Sequence, residues 1–278
     1  MENNSIKECK GNLLKNVISR IDFDDLYYVD KMILKQIKQV CDSFGLKLNM
    51  IRELDSEDFE LNDPIILRDM PSEYIKNCMC NSFFDENLEF IVEINQFFIR
   101  IIHKVNKSSY IQFEDKHLKI LNEIISVFKD ENPKILRLSI KKVDEAYFKD
   151  INYMEKYFKS DLIQKNIFSK EQKWDIPSSG SSMAQNFDYK QRKINFYRRI
   201  DRVLVRSGID NNIRNSIFYK LYLEYEVYAR NFDNENIQEE LVYLNKITRE
   251  LFLESFTDFG RKEIIEGRNI GDYEDYNK

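Results

Sequence analysis

The chain has 278 residues, is 42% hydrophobic, and carries a net charge of −5 with only 7 glycines and 4 prolines. That length and apolar content suffice for one large domain or two small ones, and 16 tyrosines with 20 phenylalanines argue against disorder. The acidic balance excludes a global positive field that would draw the whole chain to nucleic acid, and no apolar run reaches the roughly 18 residues of a membrane-spanning helix.

The first segment, MENNSIKECKGN, is polar and has no apolar signal core, so a cytoplasmic location is the default expectation. Residues 13–23, LLKNVISRIDF, read as a strand with Val17, Ile21 and Phe23 on one parity. Ile33, Ile37, Val40, Cys41 and Phe44 then form a helical stripe, and Gly45 stands where a left-handed cap closes a helix. Leu46–Leu54 is a second strand, and residues 55–86, with Pro64 and Pro71, read as loop with short elements.

The pattern is clearest over 87–129. Leu88, Phe90, Val92 and Ile94 alternate with Glu89 and Glu93, and Phe97, Ile99, Ile101 and Val105 alternate with Arg100 and Lys104. Asn95 and Gln96 are the turn between these strands, without the Asn-Gly signal of a tight hairpin. The period then changes, because His117, Leu121, Ile124, Ile125 and Phe128 form one helical stripe that Pro133 stops.

Ile135–Tyr147 is a further strand and Asn152–Ile163 a short helix. Residues 170–187 contain Trp174, Pro177 and the run Ser178-Ser179-Gly180-Ser181-Ser182, which predicts a loop or boundary. Over 189–206, Ile194, Phe196 and Ile200 suit a strand while Ile194, Tyr197, Ile200 and Val203 suit a helix; the strand is the reading taken. Residues 217–229 alternate cleanly, with Ile217, Tyr219, Leu221, Leu223, Tyr225, Val227 and Ala229 on the apolar parity. Asn234 or Asn236 caps the last helix, whose stripe is Ile237, Leu241, Leu244, Thr248, Leu251 and Phe256, and the polar tail after Gly267 is expected to fray.

These elements give an α+β protein of antiparallel sheets with packed amphipathic helices. Strand, strand, helix occurs over 88–129 and again over 192–256, which predicts a pseudo-repeat of two similar halves on one sheet or on two abutting sheets. The expected division is an N-terminal half over 1–169, a boundary over 170–187, a C-terminal half over 188–266 and a flexible tail over 267–278.

Four segments carry a resemblance. NVISRIDFDDL, FIVEINQFFIRII, ILRLSIKKVDE and ELVYLNKITRELFLESFTDFGRKEI, in that order across most of the chain, resemble an uncharacterised prokaryotic family described as "sporadically distributed protein". Leu244, Leu251, Phe252, Phe256 and Thr257 keep that family's closing helix pattern, whereas the Arg-Tyr-Ile-Asn-like run of its strand lacks the Tyr and Asn here. The resemblance implies mobile or defence-associated genes and supplies no catalytic residue.

Motifs that carry chemistry are largely absent from the sequence. No G-x-x-x-x-G-K-[ST], G-x-G-x-x-G or G-x-S-x-G motif occurs. The two histidines, His103 and His117, could meet if strand and helix bring them together, but core histidines are the reading favoured. Cys9, Cys41, Cys78 and Cys80 lack the second pair a Cys-x-Cys metal site needs, and Asp22, Asp24 and Asp25 read as a solvated cap rather than a cation site. No catalytic residue, metal or cofactor is expected.

One feature stands out. Lys190, Arg192, Lys193, Arg198, Arg199, Arg202 and Arg206, against the single acid Asp201, are interleaved with Tyr189, Phe196 and Tyr197. Such a strand can hold nucleic acid by neutralising phosphates and stacking bases, with Arg198, Arg199 and Arg202 as the phosphate forks, or it can simply pair with Glu224 and Glu226 next door. The expected function is therefore a non-catalytic interaction, sensor or immunity-type component of a bacterial defence or toxin–antitoxin-like system with a protein partner. The alternative is a nucleic-acid or nucleotide-binding module using 190–206, and a hydrolase built on Asp22 or Asp24 ranks third. The regular 217–229 strand, if at an edge, offers a homodimer contact.

Overall fold

Strands form where β-branched and aromatic residues alternate, and helices where the apolar spacing changes to three and four. In the computed structural model, which describes residues 13–23, 31–53, 79–95, 97–105, 110–128, 134–163, 180–207, 214–230, 236–268 and 270–271, these patterns become nine strands and five helices among the described residues. In order they are β1 (Leu14–Phe23), α1 (Lys31–Ser43), β2 (Lys47–Glu53), β3 (Met79–Phe84), β4 (Phe90–Ile94), β5 (Phe98–Lys104), α2 (Tyr110–Val127), β6 (Ile135–Phe148), α3 (Ile151–Tyr157), β7 (Gly180–Tyr189), β8 (Arg192–Ser207), β9 (Arg214–Arg230), α4 (Ile237–Glu254) and α5 (Asp258–Glu266). The strands make one antiparallel sheet in the order β2-β3-β4-β5-β1-β6-β9-β8-β7, so the class is α+β. Among the described residues no helix is long and apolar enough to cross a membrane.

The chain divides into two compact units, one of residues 17–140 and 228–242, the other of 1–16, 141–227 and 243–278. In the first, β4 and β5 pair as their alternation requires, with Val92 opposite Ile101 and Ile94 opposite Ile99. The turn works without Asn-Gly because the Asn95 side chain accepts hydrogen bonds from the Phe97 and Phe98 amides, at 2.7 and 3.0 Å. His117, Leu121, Ile124 and Phe128 are buried as the stripe predicts, and Gly45 takes the left-handed conformation at φ 77°. Glu93 departs from the simple alternation. It is buried because Arg100 reaches it at 2.5 Å.

In the second unit Phe148, Phe158 and Phe256 form the aromatic centre, the last two with ring centroids 4.6 Å apart. The closing helix of the sequence reading is two helices. The chain leaves α4 at Ser255, pairs Phe256 with Phe158, and restarts at Thr257, whose hydroxyl accepts the Gly260 amide at 3.1 Å and donates to the Lys156 carbonyl at 2.7 Å. Gly267 caps α5 at φ 81°.

Several expectations are corrected. β3 lies inside the stretch read as loop, because the buried Ser82 interrupts its apolar pattern. Residues 180–187 are strand β7, not loop. The short helix ends at Tyr157, where Phe158 leaves it to pair with Phe256. The tail is held at its start, since Ile270 is buried and a Cβ on Gly271 would meet the Tyr147 carbonyl oxygen at 2.4 Å. The 217–229 strand is flanked by β6 and β8, so its main-chain groups are committed on both sides and it offers no edge. Pro64, Pro71, Pro133, Trp174, Pro177 and Asn234 lie outside the described residues.

Candidate functional site

The β7–β8 hairpin carries the segment singled out by its charge. Its register is continuous over ten pairs, from Gly180↔Asp201 to Tyr189↔Arg192. Lys190 and Gln191 close it as a two-residue loop with φ of 48° and 62°, the positive values a type I′ turn demands. The tip is tied to α4. Lys190 Nζ lies 2.5 Å from Glu250 Oε2, the Tyr189 hydroxyl donates to Glu254 Oε1 at 3.3 Å, and the Arg192 guanidinium stands 5.3 Å from the Tyr243 ring centre. The Glu250 hydrogen bond raises the pKa of Lys190, while partial desolvation and then the Glu254 charge raise that of Tyr189.

The strand pleat distributes the basic residues between two faces. Ile194, Phe196, Arg198 and Ile200 are buried on one parity. Arg192 and Arg202 share that parity and are half-buried. Lys193 and Arg199 fall on the other, where Lys193 Nζ pairs with Asp188 at 2.7 Å and Arg199 Nε with Asp201 at 2.7 Å. Tyr197, also on that parity, meets Tyr222 edge-on at 5.9 Å. The Arg206 side chain lies outside the described residues. Asn195 donates to Glu226 at 2.8 Å, and Glu224 pairs with Lys141 at 3.2 Å. The sequence run therefore does not become a single basic surface.

Arg198 is fully buried. Its Nη1 donates to the Ser181 hydroxyl at 2.7 Å and to the Ser181 carbonyl at 3.3 Å, while Nε and Nη2 have no hydrogen-bond partner among the described residues. Burial lowers its pKa.

What the basic residues frame is an edge. β7 ends the sheet, and its outer side has no partner strand among the described residues. Residues flanking a two-residue hairpin loop exchange their main-chain hydrogen bonds, and the pattern alternates along the ladder. With Tyr189↔Arg192 as that pair, odd residues of β7 face β8. Ser182, Ala184, Asn186 and Asp188 turn their N–H and C=O groups outward. These four and Phe187 are exposed. β7 has no bulge, proline, lysine or arginine. At the opposite end of the sheet β2 has seven residues, a register shift between Leu48 and Met50, and the charges Lys47, Arg52 and Glu53. Those features are how proteins blunt an edge, and of them β7 has only the single charge of Asp188. Sequence reasoning missed β7 because its polar residues show no alternation; the available signal was ten residues with only one charge in a chain that is 33% charged.

The remaining candidates sit in cores. His103 stacks on Phe90 at 3.9 Å and lies 6.4 Å from the His117 ring, whose Nε2 is 2.6 Å from the Ser19 hydroxyl. Burial, helped by Lys116, pushes the His103 pKa down to about 4, so the ring is neutral at physiological pH. Asp22 is held between two arginines, with Arg20 Nε and Arg137 Nε each 2.6 Å away; Asp24 and Asp25 lie outside the described residues. Cys41 and Cys80 are buried thiols, and burial pushes Cys41 up to about 12, away from thiolate chemistry; Cys9 and Cys78 lie outside the described residues. Among the described residues no group of three or more His, Cys, Asp or Glu side chains is placed to hold a metal ion.

No family model and no curated protein matches the chain. Among solved structures, it is similar to the substrate-free duplicated taurocyamine kinase from Schistosoma mansoni, with 12% identity, a TM-score of 0.29, and coverage of 92% of this chain and 33% of that one. The same kinase with bound transition-state analogue components gives 13% identity, a TM-score of 0.31, and coverage of 95% and 34%. The chain thus spans about a third of the length of these structures.

Proposed function

We propose that this protein is a non-catalytic interaction module that binds a protein partner by adding an extended strand to β7. The observation that carries the reading is the contrast between the two ends of the sheet. One is short, bulged and charged, and the other presents an unbroken ladder of outward main-chain groups. Strand addition takes its affinity from those main-chain hydrogen bonds and its specificity from alternate side chains. The role fits the sensor or immunity component of a defence system that the family resemblance implies.

The test uses Ala184→Pro. A proline at an outward-facing edge position leaves the β7–β8 ladder intact while removing one outward donor. Tagged wild-type chain expressed in its native host should retain a defined partner, the outward amides of β7 should be protected from hydrogen exchange in that complex, and Ala184→Pro should lose both. A partner recovered equally with the variant, or a complex in which β7 amides exchange freely, refutes the reading.

A further inference from the structure

We infer that the strand received at β7 is β7 of a second copy of this chain, paired antiparallel about a two-fold axis through Gln185. The inference rests on the edge-binding reading and gives it an occupant and a register.

Two antiparallel strands related by a two-fold axis keep the same face of the sheet on the same side. A residue can then oppose only residues of its own parity, and one residue must oppose itself. Full overlap of residues 180–189 would pair odd with even and is forbidden. The two registers of greatest overlap are centred on Ala184 or on Gln185. Centring on Ala184 sets Phe187 against Ser181 and Met183 against Gln185, joining apolar to polar on one face. Centring on Gln185 sets Met183 against Phe187, which covers the exposed ring with a thioether, and Ser182 against Asp188, a hydroxyl donor against a carboxylate. Gln185 then meets its own copy, amide to amide, and Ala184 meets Asn186.

In this register the outward groups of Ser182, Ala184, Asn186 and Asp188 form the hydrogen-bonded pairs, as their orientation away from β8 requires. Charge is permissive too. The only ionised side chain on β7 is Asp188, already paired with Lys193, so two copies approach without like charges opposed along the strand. A foreign strand needs no such match to the odd face, whereas the self-pair is complementary on both faces.

The register is tested by cysteine placement. Gln185 opposes itself in a non-hydrogen-bonded pair, where Cα atoms stand about 4.5 Å apart, within disulfide range. Gln185→Cys should convert to an intermolecular disulfide on mild oxidation. Ala184→Cys and the wild-type chain, with its native cysteines as background, should not. Sedimentation of the wild-type chain should show a dimer that dissociates on dilution, and Ala184→Pro should be monomeric with unchanged circular dichroism. A wild-type chain that stays monomeric at every concentration, or one in which position 184 links as readily as 185, overturns the inference. A monomer whose outward β7 amides become protected by another protein overturns the self-pair alone and leaves the edge-binding reading standing.

Discussion

One unit matches its most deeply buried carboxylate fully, while the other leaves two buried charges incompletely matched. In the unit of residues 17–140 and 228–242, Asp22 is 1% exposed, and each carboxylate oxygen accepts from one arginine, Arg20 or Arg137. Arg20 also lies over the Phe98 ring at 4.3 Å and Arg137 over Tyr228 at 5.7 Å, so both cations have a second electrostatic neighbour. In the other unit two buried charges are incompletely matched. Arg198 leaves two nitrogens, and Asp144 one oxygen, without a hydrogen-bond partner among the described residues. A buried ion is tolerated when its partners replace water, and otherwise it must shift its pKa or carry a desolvation penalty. Asp22 belongs to the first case and Asp144 to the second, since burial raises the Asp144 pKa to about 7 despite the opposing charge of Lys142.

The largest effect expected from this contrast is at Asp22. Asp22→Ala removes the shared acceptor from two buried guanidinium groups and should cost about 3–5 kcal/mol in denaturant unfolding. A loss below about 1 kcal/mol would mean that the arginines find other acceptors and the two regions do not differ.

The next effect is a pH dependence set by Asp144. Its folded pKa, about 7, lies above the ordinary 3.8. Between those values the native state holds a proton that the unfolded state has released, so stability is fullest below about pH 4 and declines as pH rises towards 7. The decline attributable to this group is at most about 4 kcal/mol. Asp144→Asn should flatten that part of the profile and be more stable than wild type at pH 8. Parallel profiles for the two proteins would show that Asp144 is charged at no penalty.

The smallest effect is at Arg198. Arg198→Met keeps the volume and removes the incompletely matched cation, so stability should be unchanged or rise by about 1–2 kcal/mol. A loss as large as that of Asp22→Ala would show that the Ser181 contacts compensate Arg198 as fully as the arginines compensate Asp22.

The contrast also explains what could be seen from residues alone. The elements with one dry face were legible. The period-two runs of β4, β5 and residues 221–225 of β9, the stripe of α2 and the glycine after α1 follow from burial on one side, whereas at the start of β9 Ile217 is exposed and Phe218 buried. Polar residues drawn inside were not legible, because hydrogen bonding at a distance in sequence licenses them. Asp22 meets Arg137 across 115 positions, and Ser19 meets His117 across 98. The basic segment was found, but not how its residues divide, since a strand sends neighbouring arginines to opposite faces and Arg198 went to the dry one. β7 escaped notice because neither of its faces is well covered, so nothing imposes an apolar rhythm on it.

The junction between α4 and α5 has an evolutionary corollary. A methyl group on Gly260 would sit 2.2 Å from the Tyr157 carbonyl oxygen, a main-chain atom that cannot swing aside, while Gly45 has open space around the same position. In a saturation library position 260 should therefore tolerate no substitution, whereas position 45 should accept asparagine. The seam where the last helix meets the chain at Tyr157 is thus a place where drift in this sequence is tightly confined.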